Sequence, residues 1–131
     1  MIFTRIIVGK SDVEDYITQV RNDSSKDGRI KFNKIAAFFD YLEEVGQKGK
    51  YPFVRKMTDD LWELRPLKDR FMYAYIDDDF IVVLTHFVKS SQETPKNEIK
   101  KAEKRLKIYK ERSGSNGNGN GGHQILYERP G

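Results

Sequence analysis

Cationic and acidic side chains recur in the middle of this sequence at spacings that a phosphate-handling site would use. Glu63 and Arg65 stand two residues apart in Leu61-Trp62-Glu63-Leu64-Arg65. Alternate residues of a strand share a face, so Glu63 and Arg65 point together while Trp62 and Leu64 point to the other side, into a core. Arg70 opens the next β-type run, Phe71 to Ile76. If the two runs pair antiparallel through the short connection Pro66 to Asp69, Arg65 and Arg70 fall at the same end of the sheet, with Glu63 close enough to orient a guanidinium. A third run ends in His86-Phe87-Val88-Lys89 and brings an imidazole and an ammonium toward that end. Guanidinium groups grip phosphate oxygens bidentately, and an imidazole can move a proton near neutral pH.

Each residue also has a plainer role. Arg65 and Arg70, flanking a turn, can pair with Glu63, Asp59 or Asp69; His86 can be a satisfied, partly buried histidine; Lys89 can serve solubility alone. Strand alternation puts Lys89 with Phe87 and His86 with Leu84 and Val88, so the two point different ways unless a bulge intervenes. Asp77-Asp78-Asp79 reads as a turn rather than a cation site. With no Cys and only His86 and His123, the chain offers no zinc site and no disulfide. The glycines near the end lack the Lys-Ser/Thr ending of a nucleotide-binding loop. No metal and no cofactor is expected. Tyr51 and Tyr73 are candidate base-stacking rings beside the basic stretch Gln47 to Lys56, which holds Lys48, Lys50, Arg55 and Lys56 without an acid.

These residues need a scaffold. Ile2 to Val8 is β-branched and predicts a first strand, with Ser11 or Asp12 as the N-cap of a helix carrying Tyr16, Ile17 and Val20. Ile35, Phe38, Phe39, Leu42 and Val45 recur at helical spacing, and Gly46 follows where a C-terminal cap belongs. Leu61 to Arg65, Phe71 to Ile76 and Phe80 to Val88 predict an antiparallel meander broken at Pro66 to Asp69 and Asp77 to Asp79. Thr94 as cap and Pro95 at the first helical position precede Ile99, Ala102, Leu106 and Tyr109, the apolar side of a last helix. From Ser113 to Gly122 the composition turns to Gly, Asn and Ser, a flexible linker, and Ile125, Leu126 and Tyr127 suffice for a short docking strand, although an appended end fits the closing residues equally well.

At 131 residues, with 37% hydrophobic and 34% charged side chains, the chain can build one core, and it is neither disordered throughout nor divided into catalytic domains. Its longest apolar runs, Ile35 to Phe39 and Phe80 to Leu84, fall far short of the roughly twenty residues that cross a bilayer. Met1 to Lys10 lacks the features of a secretory signal, so a cytoplasmic protein is expected. The net charge of +4 is mild but uneven. Besides the basic stretch, Lys89 to Arg112 carries nine cations against four acids, which makes a polyanion or an acidic protein the natural partner, although such runs also serve as solvated faces.

Four blocks, Leu61-Trp62-Glu63-Leu64-Arg65, Arg70-Phe71-Met72-Tyr73, Leu84-Thr85-His86-Phe87-Val88-Lys89 and Thr94-Pro95-Lys96-Asn97-Glu98-Ile99 with Ala102, stand in an order and spacing that resembles the HigB-type, phage-derived branch of the RelE/ParE toxin superfamily. Ser90 and Ser91 stand where the family often has a second cation, and Asp60 where it has Gly. The resemblance covers roughly Asp12 to Arg112 and implies an α+β, RelE-like fold, so residues 1–112 are expected as the toxin domain; the Gly/Asn-rich flexible tail expected over 113–131 lies outside it. In that fold helices pack on one face of a twisted antiparallel sheet, a C-terminal helix follows, and the other side of the sheet stays concave for RNA. It implies a toxin of a type II toxin-antitoxin system that cleaves mRNA on the ribosome without a metal and is silenced by a cognate antitoxin, usually of helix-turn-helix type. By position it implies roles for Arg65, Arg70 and Lys89, with His86 as candidate acid and Glu63 as orienting group or alternative base. Lys48, Lys50, Tyr51, Arg55, Lys56 and Tyr73 would contact RNA. The chemistry expected is attack by a ribose 2′-hydroxyl on the adjacent phosphorus, giving a 2′,3′-cyclic phosphate. A non-catalytic ParE-like toxin acting on a protein such as gyrase, and a basic nucleic-acid-binding module, are the alternatives.

Overall fold

The chain runs β1 (Arg5–Val8), α1 (Ser11–Arg21), α2 (Lys26–Val45), β2 (Val54–Lys56), β3 (Trp62–Leu64), β4 (Asp69–Asp77), β5 (Phe80–Val88), α3 (Lys96–Asn116) and β6 (Ile125–Leu126). A computed structural model describes residues 4–77, 79–90, 93–116 and 125–126. Ile2, Asp78, His123, Tyr127 and the tract from Gly117 to Gly122 lie outside the described residues.

The helices form where apolar spacing and end signals agree. Ser25 caps α2, accepting a hydrogen bond from the Gly28 N–H at 3.0 Å. Gly46 closes it at φ +54°, in a backbone region that disfavours side chains, and a Cβ there would come within 2.6 Å of the Thr4 hydroxyl. Ile35, Phe39 and Leu42 are buried, as the helical stripe predicts. At α1 the expected cap is displaced: Ser11 is already helical, Lys10 holds the cap position without a side-chain bond, and the Asp12 carboxylate accepts from Arg105 of α3. Among the described residues no helix is long and apolar enough to cross a membrane.

The strands lie in the order β2-β3-β4-β5-β1-β6. The expected meander is present as β3, β4 and β5, each antiparallel to the next. Two features go beyond it. β1 runs parallel to β5, because α1 and α2 intervene before the chain re-enters the sheet, so the sheet is mixed rather than antiparallel throughout. Val54–Lys56, within the stretch expected as a basic loop, forms the edge strand β2 against β3. At the far edge β6 pairs antiparallel with β1, Val8 opposite Ile125, the docking-strand alternative of the two that the closing residues allow.

Both faces of the central strands are apolar, and both are covered. On one face Val13, Val20, Ile35, Phe39 and Leu42 from α1 and α2 meet Ile6, Val8, Phe71, Tyr73, Ile81 and Val83. On the other Ile99, Ala102, Leu106 and Tyr109 of α3 pack on Leu61, Met72, Ala74, Val82 and Leu84. Full burial of each large side chain contributes about 1.5–3 kcal/mol, so α3 is an integral layer. The face expected to stay open is therefore filled in its middle. Its polar end, beyond the reach of the apolar side of α3, carries Glu63 of β3 and Arg70 of β4.

Candidate functional site

Strand pairing assembles this polar end. Arg55 stands opposite Glu63, Glu63 opposite Met72, and Arg70 opposite Phe87. Met72 and Phe87 belong to the α3 side, so Arg55, Glu63 and Arg70 share that side, and alternation carries Arg65 with Glu63. Oε1 of Glu63 lies 3.5 Å from Nε of Arg65 and 3.9 Å from Nε of Arg70. The two arginines thus converge on one carboxylate oxygen, and Glu63 is only 1% exposed.

Each partner is fixed differently. Nη1 of Arg70 donates to the carbonyl oxygens of Leu67 and Asp69 at 2.7 and 2.9 Å, so the turn between β3 and β4 grips one edge of the guanidinium. Leu67 adopts φ +53° in that turn. Burial pulls the Arg70 pKa down from its ordinary value and the adjacent Arg65 charge adds to the effect, while Glu63 and Asp69 oppose it. The guanidinium of Arg65 lies over the ring of Tyr51 at 5.2 Å from its centroid, and its Nε is buried without a hydrogen bond. Oε2 of Glu63 accepts a hydrogen bond from the Thr94 hydroxyl at 2.6 Å. Thr94 therefore bonds back to β3, although its place before α3 predicts a cap; its position next to Pro95 carried no signal of this partner. Lys89 follows β5, its N–H bonded to the Lys68 carbonyl at 2.7 Å, and alternation from Phe87 assigns it to the Arg70 side.

His86 lies across the sheet. It stands opposite Phe71, stacks on Tyr16 of α1 with ring centroids 3.6 Å apart, and has Nε2 2.8 Å from Oδ1 of Asp69. The Tyr16 hydroxyl donates to the same oxygen at 2.5 Å and accepts from Nζ of Lys31 at 2.9 Å. Burial raises the Asp69 pKa, but the hydrogen bonds from His86 and Tyr16, with the Lys31 and His86 charges, outweigh it and hold the carboxyl below its ordinary value. Burial and the Asp69 carboxylate push the Tyr16 phenol up. A bulge produces this separation. Met72 pairs with Thr85 and Tyr73 with Val83, so Leu84 is the extra residue and both Leu84 and Thr85 lie on the α3 side. His86 then returns to the α1 side and does not share a face with Leu84, as uniform alternation would require.

The other RNA-contact candidates divide by exposure. Lys48, Lys50, Tyr51, Arg55 and Lys56 are exposed, and Tyr51 is 72% accessible. Lys56 extends over the ring of Trp62. Tyr73 is the correction: it is 0% exposed, in the core beneath α2, because its position in β4 follows Phe71 rather than Arg70. A ring sealed there cannot stack on a base. Among the cations of α3, Arg105 is also committed, its Nη2 2.8 Å from Oδ2 of Asp12 and its Nη1 2.8 Å from the Leu84 carbonyl.

The arrangement of two convergent guanidiniums, a buried orienting carboxylate, Lys89 just past the end of β5 and a flanking basic edge strand with an exposed ring suits a phosphodiester in a single-stranded polyanion. Comparison with known proteins places the chain in a family. No curated protein matches it, but residues 27–107 match the family described as Phage derived protein Gp49-like (DUF891), a span from α2 into α3 that includes every element of the site. The chain therefore belongs to the phage-derived Gp49-like family, the HigB-like toxins of the RelE/ParE superfamily.

Proposed function

We propose that this toxin is a ribosome-dependent, metal-independent mRNA endoribonuclease, acting by attack of a ribose 2′-hydroxyl on the adjacent phosphorus to leave a 2′,3′-cyclic phosphate and a free 5′-hydroxyl. The observation that carries this reading is the meeting of Arg65 and Arg70 on one oxygen of Glu63. The substrate supplies its own nucleophile, so the protein has to place the phosphodiester, balance the charge that grows on the phosphorane, and move protons. Arg65 and Arg70 supply the charge. Glu63, with Oε2 taken by Thr94 and Oε1 facing the guanidiniums, orients them rather than serving as base. Lys89 either adds its charge to theirs or takes the proton from the 2′-hydroxyl, and water supplies the proton to the departing 5′-oxygen. His86, across the sheet, takes no part at the phosphodiester and instead ties α1 to β4 and β5.

Lys48, Lys50, Arg55 and Lys56, with Tyr51 as a stacking ring, would track the RNA backbone at the sheet edge. Membership of a toxin family implies a cognate antitoxin; a helix-turn-helix protein is the expected type. The decisive experiment incubates purified protein with translating ribosomes in the presence of a chelator and maps mRNA ends by primer extension. Discrete cuts with cyclic-phosphate ends are expected in wild type and not in Arg65→Ala. Growth inhibition without any cut would transfer the reading to a ParE-like toxin acting on a protein target.

A further inference from the structure

We infer that Thr94 is a positioning residue that keeps the arginine pair open: by occupying Oε2 of Glu63, its hydroxyl prevents that carboxylate from closing a bidentate ion pair on Arg65 or Arg70. The inference rests on the proposed role of the two arginines in binding a phosphodiester.

The pairing at Glu63 is looser than its surroundings favour. A charge-assisted N–H···O bond settles at about 2.7–2.9 Å, and a buried carboxylate beside two guanidiniums has every electrostatic reason to reach that distance. Here the Nε contacts stay at 3.5 and 3.9 Å, and Nε of Arg65 has no hydrogen bond although it is buried. Two restraints account for this. Nη1 of Arg70 is held by the carbonyl oxygens of Leu67 and Asp69. Glu63 is held by Thr94 at 2.6 Å, from a segment anchored by α3 and independent of the strands that carry the arginines. Removing the hydroxyl would orphan Oε2 in a buried position, and an orphaned carboxylate oxygen turns to the nearest donors. Those donors are the guanidiniums, whose closure onto Glu63 would take them from an incoming phosphate.

The test compares Thr94→Val, Thr94→Ala and Thr94→Ser, each alone and with Glu63→Gln, in the full chain. Two readouts are taken: Arg65 Nε–H hydrogen exchange by NMR with a titration of inorganic phosphate, and the single-turnover rate of mRNA cleavage on ribosomes. Thr94→Val and Thr94→Ala are expected to slow Arg65 Nε–H exchange and to weaken phosphate binding and cleavage about tenfold, the scale of one hydrogen bond to a charged group. Thr94→Ser is expected to match wild type. With Glu63→Gln the carboxylate that closes the pair is gone, so adding Thr94→Val or Thr94→Ala should cost nothing further, whereas a purely structural threonine would give additive losses. Wild-type exchange and phosphate affinity in both hydroxyl-less variants, or additive losses in the double variants, would overturn the inference. If wild type cuts no mRNA while the exchange and phosphate arms behave as expected, the proposed function fails and the role of Thr94 stands.

Discussion

Asp69 and Arg70 are neighbours in β4 whose side chains leave the sheet on opposite faces, and Arg70 reaches back to donate to the Asp69 carbonyl at 2.9 Å. On the α1 side the Asp69 carboxylate gathers Tyr16, His86 and, at 3.9 Å, Lys31. On the α3 side Arg70 joins Arg65 at Glu63. One strand residue step thus separates a buried network that fastens the helices from the site proposed to meet RNA, and substitutions on the two faces should have separable effects.

On the helix-fastening face, Asp69→Asn should lower stability by about 1–3 kcal/mol at pH 7, because Tyr16 and His86 lose a charged acceptor. The pH dependence has a defined sign. The folded-state pKa of Asp69 lies below the ordinary 3.8, so its contribution is complete above that value and disappears as pH falls through the lowered folded-state value. Denaturant unfolding at neutral and strongly acid pH should show the gap between wild type and Asp69→Asn closing on acidification. A gap that widens in acid would contradict the assignment.

On the other face, Arg65→Ala and Arg70→Ala should each slow cleavage by roughly a hundredfold, the effect of losing a charge-stabilising contact of about 3 kcal/mol. They should differ in stability. Arg65 keeps 14% of its side chain exposed over Tyr51 and its Nε has no hydrogen bond to lose, so its loss should cost about 1 kcal/mol, mainly the packing on Tyr51. Arg70 is buried and bonded to two carbonyl oxygens, so its removal should cost about 1–3 kcal/mol as well. Arg65→Lys should recover little activity, since an ammonium lacks the planar fork. Single-turnover rates beside unfolding midpoints separate the two cases.

The convergence of Arg65 and Arg70 was legible in the sequence because it needs only strand alternation and one short connection, both of which local residue types specify. The two-sided core was legible in principle: Met72, Ala74, Val82 and Leu84 make β4 and β5 apolar on both faces, which calls for a cover on each. The cover on the second face comes from α3, and no local signal in that helix specifies the side of the sheet on which it docks. Tyr73 follows the same rule, sharing the buried face of Phe71. The position of His86 was not legible, because a single extra residue at Leu84 reverses the alternation and no Gly or Pro marks it. The partner of Thr94 was hidden for another reason: it lies 31 residues away in the chain, and a Thr-Pro pair before a helix has a sufficient local explanation.

The basic edge should act through charge. Lys48, Lys50, Arg55 and Lys56 are exposed, and each that contacts a phosphate releases counterions on binding. Replacing Lys50 and Lys56 by Ala should flatten the plot of log affinity against log salt by about 0.7–0.9 for each phosphate no longer neutralised, without altering the cleavage rate of the bound complex. Binding to ribosomes over a salt series tests this, and an unchanged slope would remove the edge from the interface.

Arg105 offers the complementary case, a cation in a basic helix that should not behave as one toward RNA. Its Nη2 contacts Oδ2 of Asp12 at 2.8 Å, drawing α1 and α3 together around β5, and its Nη1 satisfies the Leu84 carbonyl beside the bulge. Burial acts against the Asp12 charge, but the Arg105 hydrogen bond and charge prevail and keep that carboxyl below its ordinary value. Asp12 is half exposed, so the ion pair itself is worth less than about 1 kcal/mol, and the carbonyl contact adds about 0.5–1.5 kcal/mol. Arg105→Ala should therefore destabilise by about 1–2 kcal/mol and leave the salt slope of ribosome binding unchanged. Lys104→Ala, one residue away on the exposed side, should do the reverse if the face of α3 meets RNA. A flattened slope in Arg105→Ala at unchanged stability would mean that the contact with Asp12 yields to RNA on binding.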